Sequence, residues 1–195
     1  MRYPAEHKQH TRERIVRAAS RRFRSRGSER AGIDALMKDL RLTHGGFYRH
    51  FATKEDLFAE AFEQALKDVA TSVEQAIRDA PPGREPEALI TAYLTLEHCN
   101  DTAGGCPVAA LAPEIPRRPK KFRDRMLQAI GDYVRRLQPY VAGRDDDERR
   151  RNAIAVLSGM AGTLTIARAF SSVEDRVRIL DAARMLFLRA LAQQT

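Results

Sequence analysis

Residues 36–57 read LMKDLRLTHGGFYRHFATKEDL, and their spacing decides the fold. Ile33, Leu36 and Leu40 recur at helical spacing, which predicts a short helix over about 33–39. Leu42 and Thr43 follow, with Thr43 placed to cap a second short helix over about 44–51. Thr53, followed by Glu55 and Asp56, opens a third helix expected to run to about residue 79. Its apolar stripe is Leu57, Phe58, Phe62, Leu66, Val69 and Val73. Two short helices joined by a tight turn and followed by a capped long one can lay the middle helix in a DNA major groove.

Working outward, the charge agrees with that geometry. The chain has 195 residues, 34 Lys+Arg and 26 Asp+Glu, net +8. Residues 1–54 hold 14 basic and 5 acidic side chains, net +9; the other 141 hold 20 and 21, net −1. Screened attraction to phosphates acts over roughly 10 Å, so a polyanion would be drawn to the first segment alone. Upstream, Thr11 is expected to cap a helix ending near Arg26, with Ile15, Ala18, Ala19 and Phe23 on its inner stripe and Gly27 as its stop.

The leading edge of the middle helix is Thr43, His44, Gly45 and Gly46. Two helical glycines cost about 1 kcal/mol each relative to Ala, and close approach of backbone to DNA is one reason to keep them. Phe47 and Phe51, four apart, should face the core. Tyr48 and His50 should then face outward as phosphate donors, and Lys54 adds charge at the start of the next helix.

With LTHGGFYRHFATKEDL preceded by IDALMKDL and by a basic helix ending RRFRSRG, residues 11–58 resemble the DNA-binding domain of the tetracycline-repressor (TetR) family. The resemblance implies a homodimeric, all-α repressor that binds double-stranded DNA at a palindromic operator and is released by a small-molecule effector. It places base contacts at His44 and Gly45 and phosphate contacts at Thr43, Tyr48, His50 and Lys54. One departure is the start of the second helix, Ala31-Gly32, where the family supplies a Ser or Thr cap.

Beyond residue 80 the pattern predicts helices over about 86–99, 107–115, 117–141, 145–170 and 173–193, broken at Gly104-Gly105, Pro116, Pro119, Gly143 and Ser171-Ser172. The fold class is therefore all-α, with about nine helices. A helix-turn-helix domain is expected over 1–52 and a larger ligand-binding and dimerisation domain over 53–195. Ala155, Gly159 and Gly162 form a small-residue face that suits close helix approach. Together with Leu180, Ala183 and Phe187 it is the expected dimer interface. Apolar candidates for an effector cavity are Phe62, Tyr93, Leu96, Cys99, Cys106, Phe122, Met126 and Met160.

Cys106 precedes Pro107 at a helix start, where a thiol can become a reactive thiolate. A thiol-sensing repressor, with Cys99 as resolving thiol, is one alternative; the other is a basic architectural protein that coats DNA without sequence preference. No G-x-S-x-G, Walker loop or H-E-x-x-H occurs, so no catalytic residue is assigned. His98, Cys99 and Cys106 lack the paired spacing of a zinc site, and neither metal nor cofactor is expected. No apolar run reaches the ~20 residues of a membrane helix, and the expected compartment is the cytoplasm.

Overall fold

The computed structural model describes residues 5–192, and every regular element among them is helical. Ten α-helices follow in order: α1 (Ala5–Arg26), α2 (Ile33–Asp39), α3 (His44–Phe47), α4 (Lys54–Arg78), α5 (Glu85–Tyr93), α6 (Leu96–Asn100), α7 (Pro107–Leu111), α8 (Lys120–Leu137), α9 (Asp146–Ala169) and α10 (Val173–Ala192). Two 3₁₀ turns, Ala112–Arg117 and Gln138–Tyr140, extend α7 and α8. None of these helices is long and apolar enough to cross a membrane.

Helices α1 to α3 form a small head. The 25-residue α4 packs on α1 at its front and on α5 and α8 further along, so one helix is shared by head and body. Its eleven buried residues run from Leu57 to Ile77. Behind it, α9 and α10 pair across a short turn and cover α5 to α8. Phe23 and Phe58 meet edge to face, with centroids 5.2 Å apart, where the head joins α4.

The expected caps at Thr43 and Thr53 are present: Thr43 accepts from Gly46 N, and Thr53 forms a reciprocal box with Asp56. Gly32 starts α2 with no side-chain bond, as Ala31-Gly32 suggested. Other expectations need correction. Thr11 is no cap; α1 begins at least by Ala5, and Thr11 is buried in its length. The run 86–99 is two helices, because Leu94 turns fully inward and Thr95 caps α6 afresh on His98 N. The run 107–115 tightens to a 3₁₀ turn at Ala112, around Pro113 and Pro116. Pro119 moves the start of the next helix to Lys120, and Pro139 tightens its end. The expected last residue, 193, lies outside the described residues.

Candidate nucleic-acid interface

The turn between α2 and α3 is closed by backbone. Leu42 N donates to Met37 O at 2.8 Å and Arg41 N to Lys38 O at 3.0 Å, which ends α2 in a Schellman arrangement. Its left-handed residue is Arg41, φ +58°, where glycine would be unstrained. Holding a side chain there costs about 1–2 kcal/mol. After it, α3 winds for four residues and continues as a tighter turn, Arg49 N to Gly46 O and His50 N to Phe47 O, rather than as α-helix to residue 51.

The leading edge stands free. Thr43, His44 and Gly45 are exposed. A Cβ built on Gly45 would meet nothing within 4 Å. Gly46 is different: its Cβ would lie 3.3 Å from Thr43 Oγ1, the oxygen that caps the helix. Gly46 is thus explained inside the protein, and only Gly45 leaves the room that close approach to DNA asks for. His44 is held by partners the sequence did not suggest. Its Nδ1 pairs with Asp34 Oδ1 on α2, and its ring lies edge-on to Tyr48 at 5.6 Å. Asp34 is ten residues away, and no local pattern marks it.

Phe47 and Phe51 stack at 5.5 Å and are buried. Tyr48 is 61% exposed, as expected. His50 needs correcting: it is half-buried, and its Nδ1 has no hydrogen-bond partner among the described residues. Burial first, and then Lys8, Arg12 and Arg49, hold its imidazole below the usual range. It is a neutral group at the edge of the interface. Arg12 anchors it from α1, binding His50 O and Glu60 while its guanidinium lies 4.1 Å over the Phe51 ring. Lys54 Nζ lies 3.4 Å from Glu29 O. Between α1 and the leading edge a cleft of about 530 Å³ is lined in part by Lys8, Arg41, Thr43, Arg49 and His50. Lys8, Arg41 and Arg49 were counted as charge but not placed by the sequence; α1 had to run back past Thr11 to bring Lys8 there.

Behind the head, α1 is stitched to the body. Arg24, buried, donates to Ser20 O, Ser20 Oγ, Gly104 O at 2.8 Å and Gly105 O at 2.6 Å. Ser28, Glu114 and Arg118 form a second stitch, with the Arg118 guanidinium 4.5 Å over Phe58. The Gly104-Gly105 turn is closed in: a Cβ on Gly105 would lie 2.7 Å from Asp101 O. Next along, Cys106 N donates to His98 Nε2 at 2.9 Å, and His98 Nδ1–H donates to Tyr93 O at 2.7 Å. Both ring nitrogens are engaged, and burial lowers the pKa of the imidazole.

The reactive-thiolate expectation fails on this geometry. Cys106 is fully buried, burial pushes its thiol up, and α7 has only five residues with which to oppose that shift. Cys99 is buried as well. Phe62, Tyr93, Met126 and Met160 are likewise interior, with Leu96 and Phe122 partly covered. None of these eight lines the groove between α4 and α8, whose walls include Leu66, Ala129 and Tyr133.

The expected dimer face also divides. Ala155 and Gly162 point outward. Gly159 instead makes room for Phe187 of the same chain, whose ring carbon would lie 2.5 Å from an added Cβ; Leu180 is buried, and Ala183 and Phe187 pack on the core. The uncovered apolar side chains on these two helices include Ile154, Ile166, Val177, Met185 and Leu186, the last 66% exposed.

Two family models match the chain: bacterial regulatory proteins of the tetR family over residues 15–61, and the tetracyclin repressor-like C-terminal domain over 83–187. Among curated relatives, the HTH-type transcriptional regulator LmrA of Bacillus subtilis is 24% identical over 64% of this chain and 67% of its own. The HTH-type transcriptional repressor DhaR of a Mycobacterium species is 21% identical, over 72% and 71%. Among solved structures, a TetR transcriptional regulator from Chloroflexus aurantiacus superposes with TM-score 0.75 at 22% identity, covering 92% of this chain and 95% of that one. FadR of Bacillus subtilis, solved in complex with stearoyl-CoA, gives 0.66 at 15% identity, over 90% and 96%.

Proposed function

The chain belongs to the tetR family of bacterial regulatory proteins, and on that premise we propose that it is a repressor whose hold on a palindromic operator is released by a small molecule. A tetR-family protein is a DNA-binding transcriptional regulator and not an enzyme. The finer reading divides the chain at 1–52 and 53–195, the first part reading DNA and the second pairing two copies and binding the effector.

The observation that carries the reading is the free leading edge of α3. Thr43, His44 and Gly45 are exposed, and none of the described residues occupies the space in front of Gly45. His44, steadied by Asp34, offers its other ring nitrogen to a base edge. Gly45 lets the backbone come close, while Gly46 keeps the cap geometry. Thr43, Tyr48 and Lys54 face phosphates, joined by Lys8, Arg41 and Arg49 around the basic cleft, with His50 as a neutral donor at its rim.

Two copies pair through the uncovered apolar faces of α9 and α10, including Ala155, Gly162, Ile166 and Leu186. Their α3 helices enter successive major grooves about 34–36 Å apart, or somewhat more. An effector that prefers the released state tilts α4, to which each head is attached, and the spacing no longer matches the operator.

Competition binding tests the reading, with DNA upstream of the protein's own gene set against random DNA at several salt concentrations. A specific repressor prefers the upstream fragment by a factor of about 10³ or more. Salt-steep binding with equal affinity for both would replace it with the sequence-blind architectural protein.

A further inference from the structure

Asp34, in the first turn of α2, lies on the same open edge as His44, their side chains 83% and 51% exposed. It is one of five acidic side chains set among fourteen basic ones in residues 1–54. A carboxylate on a face that meets phosphates repels them, so its place there asks for a reason. The structure gives one: Asp34 Oδ1 accepts a hydrogen bond from Nδ1 of His44.

An ionised carboxylate has lone pairs and no hydrogen to give, so in this pair Nδ1 carries the hydrogen. A neutral imidazole has one ring hydrogen, which leaves a lone pair on Nε2. The ring is not free to turn over, because a half-turn about its Cβ–Cγ bond would bring Cδ2 to the place of Nδ1 and lose the bond to Asp34. Tyr48 bounds it on another side, ring to ring at 5.6 Å and 60°. Among the described residues, Nδ1 is the one ring nitrogen of His44 with a hydrogen-bond partner. The edges of the major groove sort against such an acceptor. Adenine N6 and cytosine N4 are donors, whereas guanine N7 and O6 and thymine O4 are acceptors.

We propose that Asp34 is a positioning residue for sequence reading: it holds His44 with Nε2 as an acceptor, so that α3 selects an exocyclic amine, adenine N6 or cytosine N4, at one base pair of each half-site. The assignment rests on the repressor reading above and names the base chemistry that His44 recognises. Without the carboxylate, His44 is free to carry its hydrogen on Nε2 and to donate to guanine or thymine instead.

The test uses the full-length protein at pH 8 and its upstream operator, with each base pair of a half-site replaced in turn by the three alternatives. The pair read by His44 is the one at which His44→Ala loses the discrimination that wild type shows. At that pair, purine in place of adenine, or 2-pyrimidinone in place of cytosine, removes the amine. Wild type should then bind about tenfold more weakly, the loss of one hydrogen bond, while His44→Ala is unaffected. Asp34→Ala should lose a similar factor at that pair and none at the others, hold random DNA at least as tightly as wild type, and melt at nearly the same temperature. In the His44→Ala background it should change discrimination no further. A carboxylate that only supports α2 would weaken all sequences alike. Unaltered wild-type affinity without the amine, discrimination that survives Asp34→Ala, or a loss that persists in the His44→Ala background would each overturn the assignment. An operator preferred over random DNA with no dependence on an amine removes this assignment and leaves the repressor reading standing; equal affinity for operator and random DNA removes both.

Discussion

Residues 43–51 and 95–106 use nearly the same vocabulary to opposite ends. Each opens on a threonine that caps a very short helix, Thr43 on α3 and Thr95 on α6. Each contains a histidine fixed through a ring nitrogen and a Gly-Gly pair. In the first, the space in front of Gly45 is open; in the second, Gly105 would collide with Asp101 O and Arg168. The first presents backbone to the outside, and the second folds it against a buried arginine. A glycine pair therefore marks close approach of backbone, and what stands in front of it decides whether the partner is another molecule or the protein itself.

That contrast can be broken by substitution, most severely at the inner pair. Arg24→Ala strands the carbonyls of Gly104 and Gly105, and should lower unfolding free energy in urea by about 2–4 kcal/mol. Gly105→Ala pushes a methyl into backbone and should cost about 1–3 kcal/mol in the same measurement. At the outer segment the effects move from stability to DNA. His44→Ala should leave the melting temperature nearly unchanged while removing about 1–3 kcal/mol of discrimination between operator and mutated operator in competition binding. Gly45→Ala should raise stability by up to about 1 kcal/mol through helix propensity and yet weaken operator binding; equal operator affinity would show that nothing approaches that backbone.

The smallest effect distinguishes the histidines. The folded pKa of His98 lies below its unfolded value, so the folded state takes up fewer protons there. Its stabilising contribution is complete above about pH 6.5 and falls away as pH drops through that value, when the unfolded chain gains a proton that the Cys106 amide excludes from Nε2. Thermal midpoints from pH 7.5 to 5.5 should fall less steeply in His98→Gln than in wild type.

The head was legible in the sequence because its signals are local. The caps at Thr43 and Thr53, the Phe47–Phe51 spacing and the acidic first turn of α4 each sit within a few residues of what they determine, and these appear as read, whereas the cap expected at Thr11 does not. What escaped depends on distant parts of the chain. Asp34 reaches His44 across a turn, Arg24 reaches residues eighty positions on, and Phe187 fills the room in front of Gly159. Cys106 misled for the same reason: its position before Pro107 is visible in sequence, but the burial that keeps its proton on is not. The breaks at Leu94 and Ala112 were missed because a fully buried leucine and an early 3₁₀ turn keep helical periodicity while changing direction.

The guanidinium of Arg24 lies sunk among four acceptors, two from its own helix and two from the loop at 104–105. Swinging the head about that seam would strip a cation of its solvation inside the protein, a penalty of several kcal/mol. Whatever motion the regulator makes, α1 and the segment 104–111 must then ride together as one body.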